Sequence, residues 1–313
     1  MSVSYTAISH RRSAVSKISQ PLFIIFTCLL FALGASAQTS FRYAAINVPN
    51  AQETVANGIN NSNAIVGWYV SSTGHDLGFR LQGGQFRTIN VPGSAETFAH
   101  GINDLGDIVG FYIVPTANGG QTGHGFLLHS GIFRRIDCPN STFTEARGIN
   151  KYGTIVGWCQ TSRGHEGFVL KNGVFRFVDA PMQSGEPLDT ELSGISNLGE
   201  IAGQVFSGDN WRGFWIAGTS DLDFLRPLLA PDNFVTAANG HGELVGCNAG
   251  QGFFARNPEA NENESAESFP SLVTVRPFNT NTSCAESITY NRAIVGYYLD
   301  ANFRRHGFLA VPQ

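Results

Sequence analysis

The side chains here that could do chemistry fall in rows, one member from each copy of a repeated segment. The fullest row is Asn57, His100, Arg147, Ser193, Thr236 and Glu286, each directly before the Gly, Ala or Ser that opens the string "GIN" or its variant. All six are polar and all six differ. A circle of unlike polar groups is what a ligand site needs, because a few convergent polar groups orient whatever the site holds. Ordinary surface variation is the plain alternative. If the site were catalytic, His100 would be the base, Arg147 the oxyanion or carboxylate clamp, and Glu286 or Glu96 the acid.

A second row, four residues earlier, reads Glu53, Glu96, Phe143, Asp189, Asp232 and Thr282, so four of six are acidic. Carboxylates gathered at a rim could hold Ca²⁺, a cation that takes several oxygen ligands, or a sugar or cationic ligand. A solvated acidic rim is the alternative. The row between them (Thr54, Thr97, Thr144, Thr190, Asn233, Ser283) is short and polar, and reads as turn residues bonding local backbone. His75, His124, His165 and His306 precede a recurrent "GF" and read as strand-capping groups rather than metal ligands. The chain contains no H-E-x-x-H, no G-x-S-x-G, no Walker loop and no Cys/His zinc pattern. Ca²⁺ apart, no cofactor is indicated.

These rows exist because the chain repeats. The glycine of "IVG" or its variant falls at Gly67, Gly110, Gly157, Gly203, Gly246 and Gly296, spaced by 43, 47, 46, 43 and 50 residues. The Phe of "GF" recurs at Phe79, Phe126, Phe168, Phe214, Phe253 and Phe308. A period in the forties built from short, Gly-punctuated apolar stretches matches four-stranded propeller blades, not helical repeats. Loop lengths order the strands: inner GIN, then IVG, then GF, then an outer strand such as Ile132–Asp137, with the long link leading to the next blade. On that phasing the chain opens on an orphan outer strand, Phe41–Val48, and ends on a GF strand without a partner. The expected fold is therefore all-β: a six-bladed β-propeller of four-stranded blades, closed by the N-terminal strand in the last blade. An open β-solenoid is the alternative. The matched glycines and phenylalanines suggest that the ring of one blade lies over the glycine of its neighbour.

With GIN…IVG…HGF repeated, including His124-Gly125-Phe126 and His306-Gly307-Phe308, the chain resembles the bacterial extracellular HAF repeat family over nearly its whole length after residue 37. The middle residue here is Gly, a departure from the His-Ala-Phe that names the family. The resemblance implies export and a propeller-like repeat, and carries no activity.

The first 37 residues hold Arg11, Arg12, Lys17 and no acid, then an apolar run from Pro21, then Ala35-Ser36-Ala37. This reads as a cleaved signal peptide, with an N-terminal membrane anchor as the alternative. Residues 38–313 are then one propeller domain with an acidic insertion at 257–271, secreted or periplasmic, with no membrane span. Of five cysteines, Cys138, Cys159, Cys247 and Cys284 lie beyond the leader. Four allow three pairings; locality favours Cys138–Cys159 and Cys247–Cys284, and free buried thiols are the alternative. Charged residues are only 14%, the net charge is −4, and Lys is confined to three positions, which argues against a nucleic-acid partner. The expected function is a monomeric binding module for an extracellular carbohydrate or protein. An extracellular hydrolase or lyase acting on carbohydrate or phosphoester at the acidic rim is the alternative.

Overall fold

The computed structural model describes residues 40–178, 189–207, 210–216, 226–228, 233–256 and 272–313. The expected leader, Asp232 and the 257–271 insertion lie outside the described residues. Apart from one 3₁₀ turn, Pro277–Asn279, the described elements are all strands. β1 (Phe41–Ile46) precedes β2 (Glu53–Ile59), β3 (Ile65–Val70), β4 (Asp76–Gln82) and β5 (Gln85–Ile89), which pair in that order as an antiparallel quartet. The pattern recurs in β6 (Glu96–Ile102), β7 (Ile108–Pro115), β8 (Gln121–His129) and β9 (Ile132–Ile136). It recurs again in β10 (Phe143–Ile149), β11 (Ile155–Thr161), β12 (Gly164–Lys171) and β13 (Val174–Val178). The fourth quartet is β14 (Thr190–Ile195), β15 (Ile201–Ser207), β16 (Asn210–Ile216) and β17 (Arg226–Leu228). The fifth is β18 (Asn233–Ala238), β19 (Leu244–Asn248), β20 (Gln251–Ala255) and β21 (Leu272–Val275). The sixth joins β22 (Ser283–Ile288), β23 (Ile294–Leu299) and β24 (Arg305–Pro312) to β1, which pairs with β24 from Phe41↔Pro312 to Ile46↔Gly307. Single parallel bridges, Phe143↔Gly123 and Arg212↔Asn233, join the second quartet to the third and the fourth to the fifth. The inner strands touch in succession, β2 to β6, β10, β14, β18 and β22, and β22 touches β2.

The core lies between quartets. Among the described residues, six clusters of buried apolar side chains each draw on two neighbours. One unites Ala56, Ile59 and Phe79 of the first quartet with Ala293 and Val295 near and on β23 and Ile46 of β1. Burying the larger of these side chains (Ile, Val, Phe) stabilises the fold by roughly 1.5–3 kcal/mol each, so every quartet depends on both neighbours.

The repeated letters have local reasons. Asn103 Oδ1 accepts from the backbone N–H of Leu105 (3.0 Å) and Asp107 (2.9 Å), closing the hairpin, while its Nδ2 donates to Asn150 O of the next quartet (3.2 Å). Asn60, Asn150 and Asn239 repeat this arrangement. The GIN glycine admits the neighbouring strand: a Cβ on Gly58 would lie 2.5 Å from His100 O. The threonine row is structural as expected, with Thr54, Thr97 and Thr144 accepting from Val48, Val91 and Cys138 N–H of the incoming link at 3.0–3.1 Å.

One expectation is corrected. The GF rings do not cross to a neighbour's glycine; each packs on the glycine of its own quartet. Gly67 pairs with Phe79, Gly110 with Phe126, Gly157 with Phe168, Gly203 with Phe214, Gly246 with Phe253 and Gly296 with Phe308. Directly opposed residues of an antiparallel pair share a face, so the ring fills the space left by the missing side chain. Both favoured disulfides are present, Cys138–Cys159 and Cys247–Cys284, the second tying β19 to β22 across two quartets.

Candidate functional site

A β-bulge in each of the six inner strands brings Asn57, His100, Arg147, Ser193, Thr236 and Glu286 around one channel. All six line both a cavity of about 450 Å³ on the hairpin side and one of about 290 Å³ on the long-link side. They form the waist between the two. Two of them also serve the framework: Asn57 Nδ2 donates to Ala99 O at 3.0 Å and the Thr236 hydroxyl to Ala285 O at 2.7 Å.

Arg147 is held by buried carboxylates. Its Nε donates to Glu145 Oε1 at 3.1 Å, and Nη2 lies 3.6 Å from Glu191 Oε2. His100 Nε2 lies 3.4 Å from the same Glu145 oxygen. His165 Nδ1 meets Glu191 Oε1 at 2.8 Å, and Gln204 Nε2 donates to Glu191 Oε2 at 2.6 Å. Burial drives the His100 imidazole down to about 3, with the Arg147 charge adding to it. Burial pushes Glu191 up, but His165, Arg147 and Gln204 together outweigh it and hold the carboxyl below its usual range. His165 is raised, chiefly by its bond to Glu191. Burial lifts Glu286 to about 7 against the opposing Arg147 charge.

The two cavities differ in lining. On the hairpin side, Asp104 Oδ2 accepts from Asn61 Nδ2 (2.9 Å) and Asn197 Nδ2 (2.8 Å), lacing three quartets together. On the long-link side, Val55, Trp68, Tyr297 and Arg305 join the waist residues. Arg305 places its guanidinium 5.8 Å from the Trp68 ring centre and 6.0 Å from that of Tyr297, and Nη1 donates to Glu53 Oε2 at 3.1 Å.

The described members of the acidic row line neither cavity, although Glu53 and Glu96 both act on the Asp76 carboxyl. Glu53 is paired with Arg305, and Glu96 is outside the lining of either cavity. Asp189 Oδ1 accepts from His165 N–H at 2.8 Å. Among the described residues, the one trio of potential ligand side chains within 4.8 Å of one another is Cys247, Cys284 and Glu286, and its two sulfurs are bonded to each other. His124 and His306 bond locally, to Asp137 (2.8 Å) and to Asn47 (3.0 Å), but His165 reaches the next quartet.

The sequence reading missed Glu145, Glu191, Trp68, Tyr297 and Arg305. A signal for the first two was present: three residues before the GIN glycine the other copies carry Val55, Phe98, Phe234 and Cys284. A carboxylate in an otherwise apolar row needs a partner.

No family model and no curated protein matches the chain. No helix among the described residues is long and apolar enough to cross a membrane. Among solved structures the chain is similar to the Hadza microbial sialidase Hz136, at 10% identity over 84% of this chain and 66% of that one, with a TM-score of 0.51. It is also similar to YCF48 from Cyanidioschyzon merolae, at 13% identity over 86% and 98% of the two chains and a TM-score of 0.47. A third is an Aleuria aurantia lectin mutant in complex with Fucalpha1-6GlcNAc, at 10% identity over 88% and 79% and a TM-score of 0.39. At such identity the first likeness speaks to fold alone, and the fold is all-β and β-propeller-like.

Proposed function

We propose that this chain is an exported β-propeller of six four-stranded blades, closed by its N-terminal strand and built on HAF-type repeats, that binds an extracellular carbohydrate at the long-link mouth of its channel. The observation that carries this reading is the convergence of six dissimilar polar side chains with the rings of Trp68 and Tyr297 on one cavity of about 290 Å³. A sugar presents apolar C–H faces and hydroxyls that both donate and accept. The mouth offers aromatic rings, hydroxyls, an amide and charged groups to match. The two disulfides support an oxidising address.

Binding is favoured over turnover because His100, held near 3, is a weak base at neutral pH. The hydrolase or lyase reading is supported by one observation: Glu286, near 7, is suited to donate a proton. Calorimetric titration against a panel of soluble oligosaccharides tests the reading. We expect saturable binding to at least one series and a loss of about tenfold or more in His100→Ala, the scale of a lost bond to a buried polar group. Unchanged affinity in that variant would contradict it. Release of shortened product by the wild type, abolished in Glu286→Gln with binding retained, would favour the enzyme.

A further inference from the structure

We propose that the long-link mouth selects ligands bearing a cation, a sugar amine in particular, in a seat formed by Trp68, Tyr297 and Glu53 that the chain's own Arg305 guanidinium occupies. This rests on the reading of that mouth as the binding site. Trp68 comes from the first quartet and Tyr297 from the sixth, so the seat straddles the junction closed by β1. A positive group within about 6 Å of an aromatic ring centre is attracted by the ring's negative face, and Arg305 satisfies that distance toward both rings. The cavity therefore already displays the chemistry it accepts.

Arg305 is suited to give way. Its side chain is 46% exposed and it is the first residue of β24, so the stem can swing into solvent. An exposed ion pair such as that with Glu53 holds a side chain only weakly. Once Arg305 leaves, positive charge has to be supplied. The Glu53 carboxylate loses its partner. The other guanidinium of the cavity, Arg147, is already committed to Glu145 and Glu191. Asp76 stands nearby, its carboxyl raised by burial and then by the charges of Glu96 and Glu53. An anionic sugar would meet these carboxylates, a neutral one would leave them uncompensated, and an ammonium would replace what Arg305 supplied.

The test titrates the full chain, by calorimetry and tryptophan fluorescence at about pH 6, where a sugar amine is protonated. The probes are glucosamine, N-acetylglucosamine and glucose oligomers of equal length and linkage. We expect the amine series to bind most tightly. Arg305→Met should tighten it by a further roughly two- to fivefold, the scale of one exposed cation–π contact, and so widen the gap between the amine series and the neutral ones. Glu53→Gln should erase the amine preference. Equal affinity for the three series, or an Arg305→Met change that weakens all three alike, would overturn the proposal while leaving the mouth as a sugar site. If no sugar binds, the carbohydrate reading falls. The seat is then judged by calorimetric titration with methylguanidinium: binding in Arg305→Met that is lost in Arg305→Met/Glu53→Gln supports it, and no binding in either overturns it.

Discussion

Glu286 and His100 face one channel with their protonation equilibria displaced in opposite senses, and each displacement makes stability depend on pH. Glu286, lifted to about 7, holds its proton in the folded chain over a range where the unfolded chain has released it. Its contribution is therefore intact below the unfolded carboxylate value and lost as pH rises through about 7. His100, pushed down to about 3, has the reverse sign: its contribution is intact above the unfolded imidazole value and lost as pH falls. Glu286→Gln should thus gain on the wild type between pH 5 and pH 8 by about 1–3 kcal/mol, less than the full displacement because the side chain keeps some contact with water. Chemical denaturation at the two pH values reads this directly, and a wild-type-minus-variant difference that does not change with pH would refute it. The waist residues were legible in the sequence because their row stays polar while every copy carries a different residue. Glu145 and Glu191 stood out in the sequence only as carboxylates in a row that is apolar elsewhere; their partner was not legible, because only the packed structure shows Arg147 turning toward both.

Strand order within a quartet was legible because loop length distinguishes a hairpin from a link between quartets. The partner of each GF ring was not, because depth along the channel alone does not say which sheet supplies the opposing glycine; hairpin register does. Gly157 pairs with Phe168, and a Cβ there would press on the Glu145 carbonyl oxygen and come within 2.9 Å of the Phe168 ring. Gly157→Ala is expected to destabilise by about 1–3 kcal/mol, the usual cost of overfilling a packed core. It should also weaken ligand binding, because the displaced strand carries Glu145 and Arg147. A thermal melt superimposable on the wild type would show that the glycine has no packing role.

Across the whole molecule, six cores between quartets make neighbours interdependent, and β1 supplies the strand that the sixth quartet lacks. That pairing of β1 with β24 could be read by counting strands, and the disulfides by sequence locality. The seat at the mouth could not, since Glu53 and Arg305 are 252 residues apart and meet only where the ends of the chain come together. In this mouth Trp68, Tyr297 and Arg305 stand where the first and sixth quartets meet, while Arg147 with its partners Glu145 and Glu191 spans the third and fourth. The most direct test is a crystal structure of the chain soaked with a glucosamine oligomer. The account predicts sugar density in the long-link mouth, with the amine between Trp68, Tyr297 and Glu53, Arg305 turned outward, and hydroxyls within hydrogen-bond reach of His100 or Arg147. Sugar bound elsewhere on the molecule, with Arg305 still lying over both rings, would contradict it.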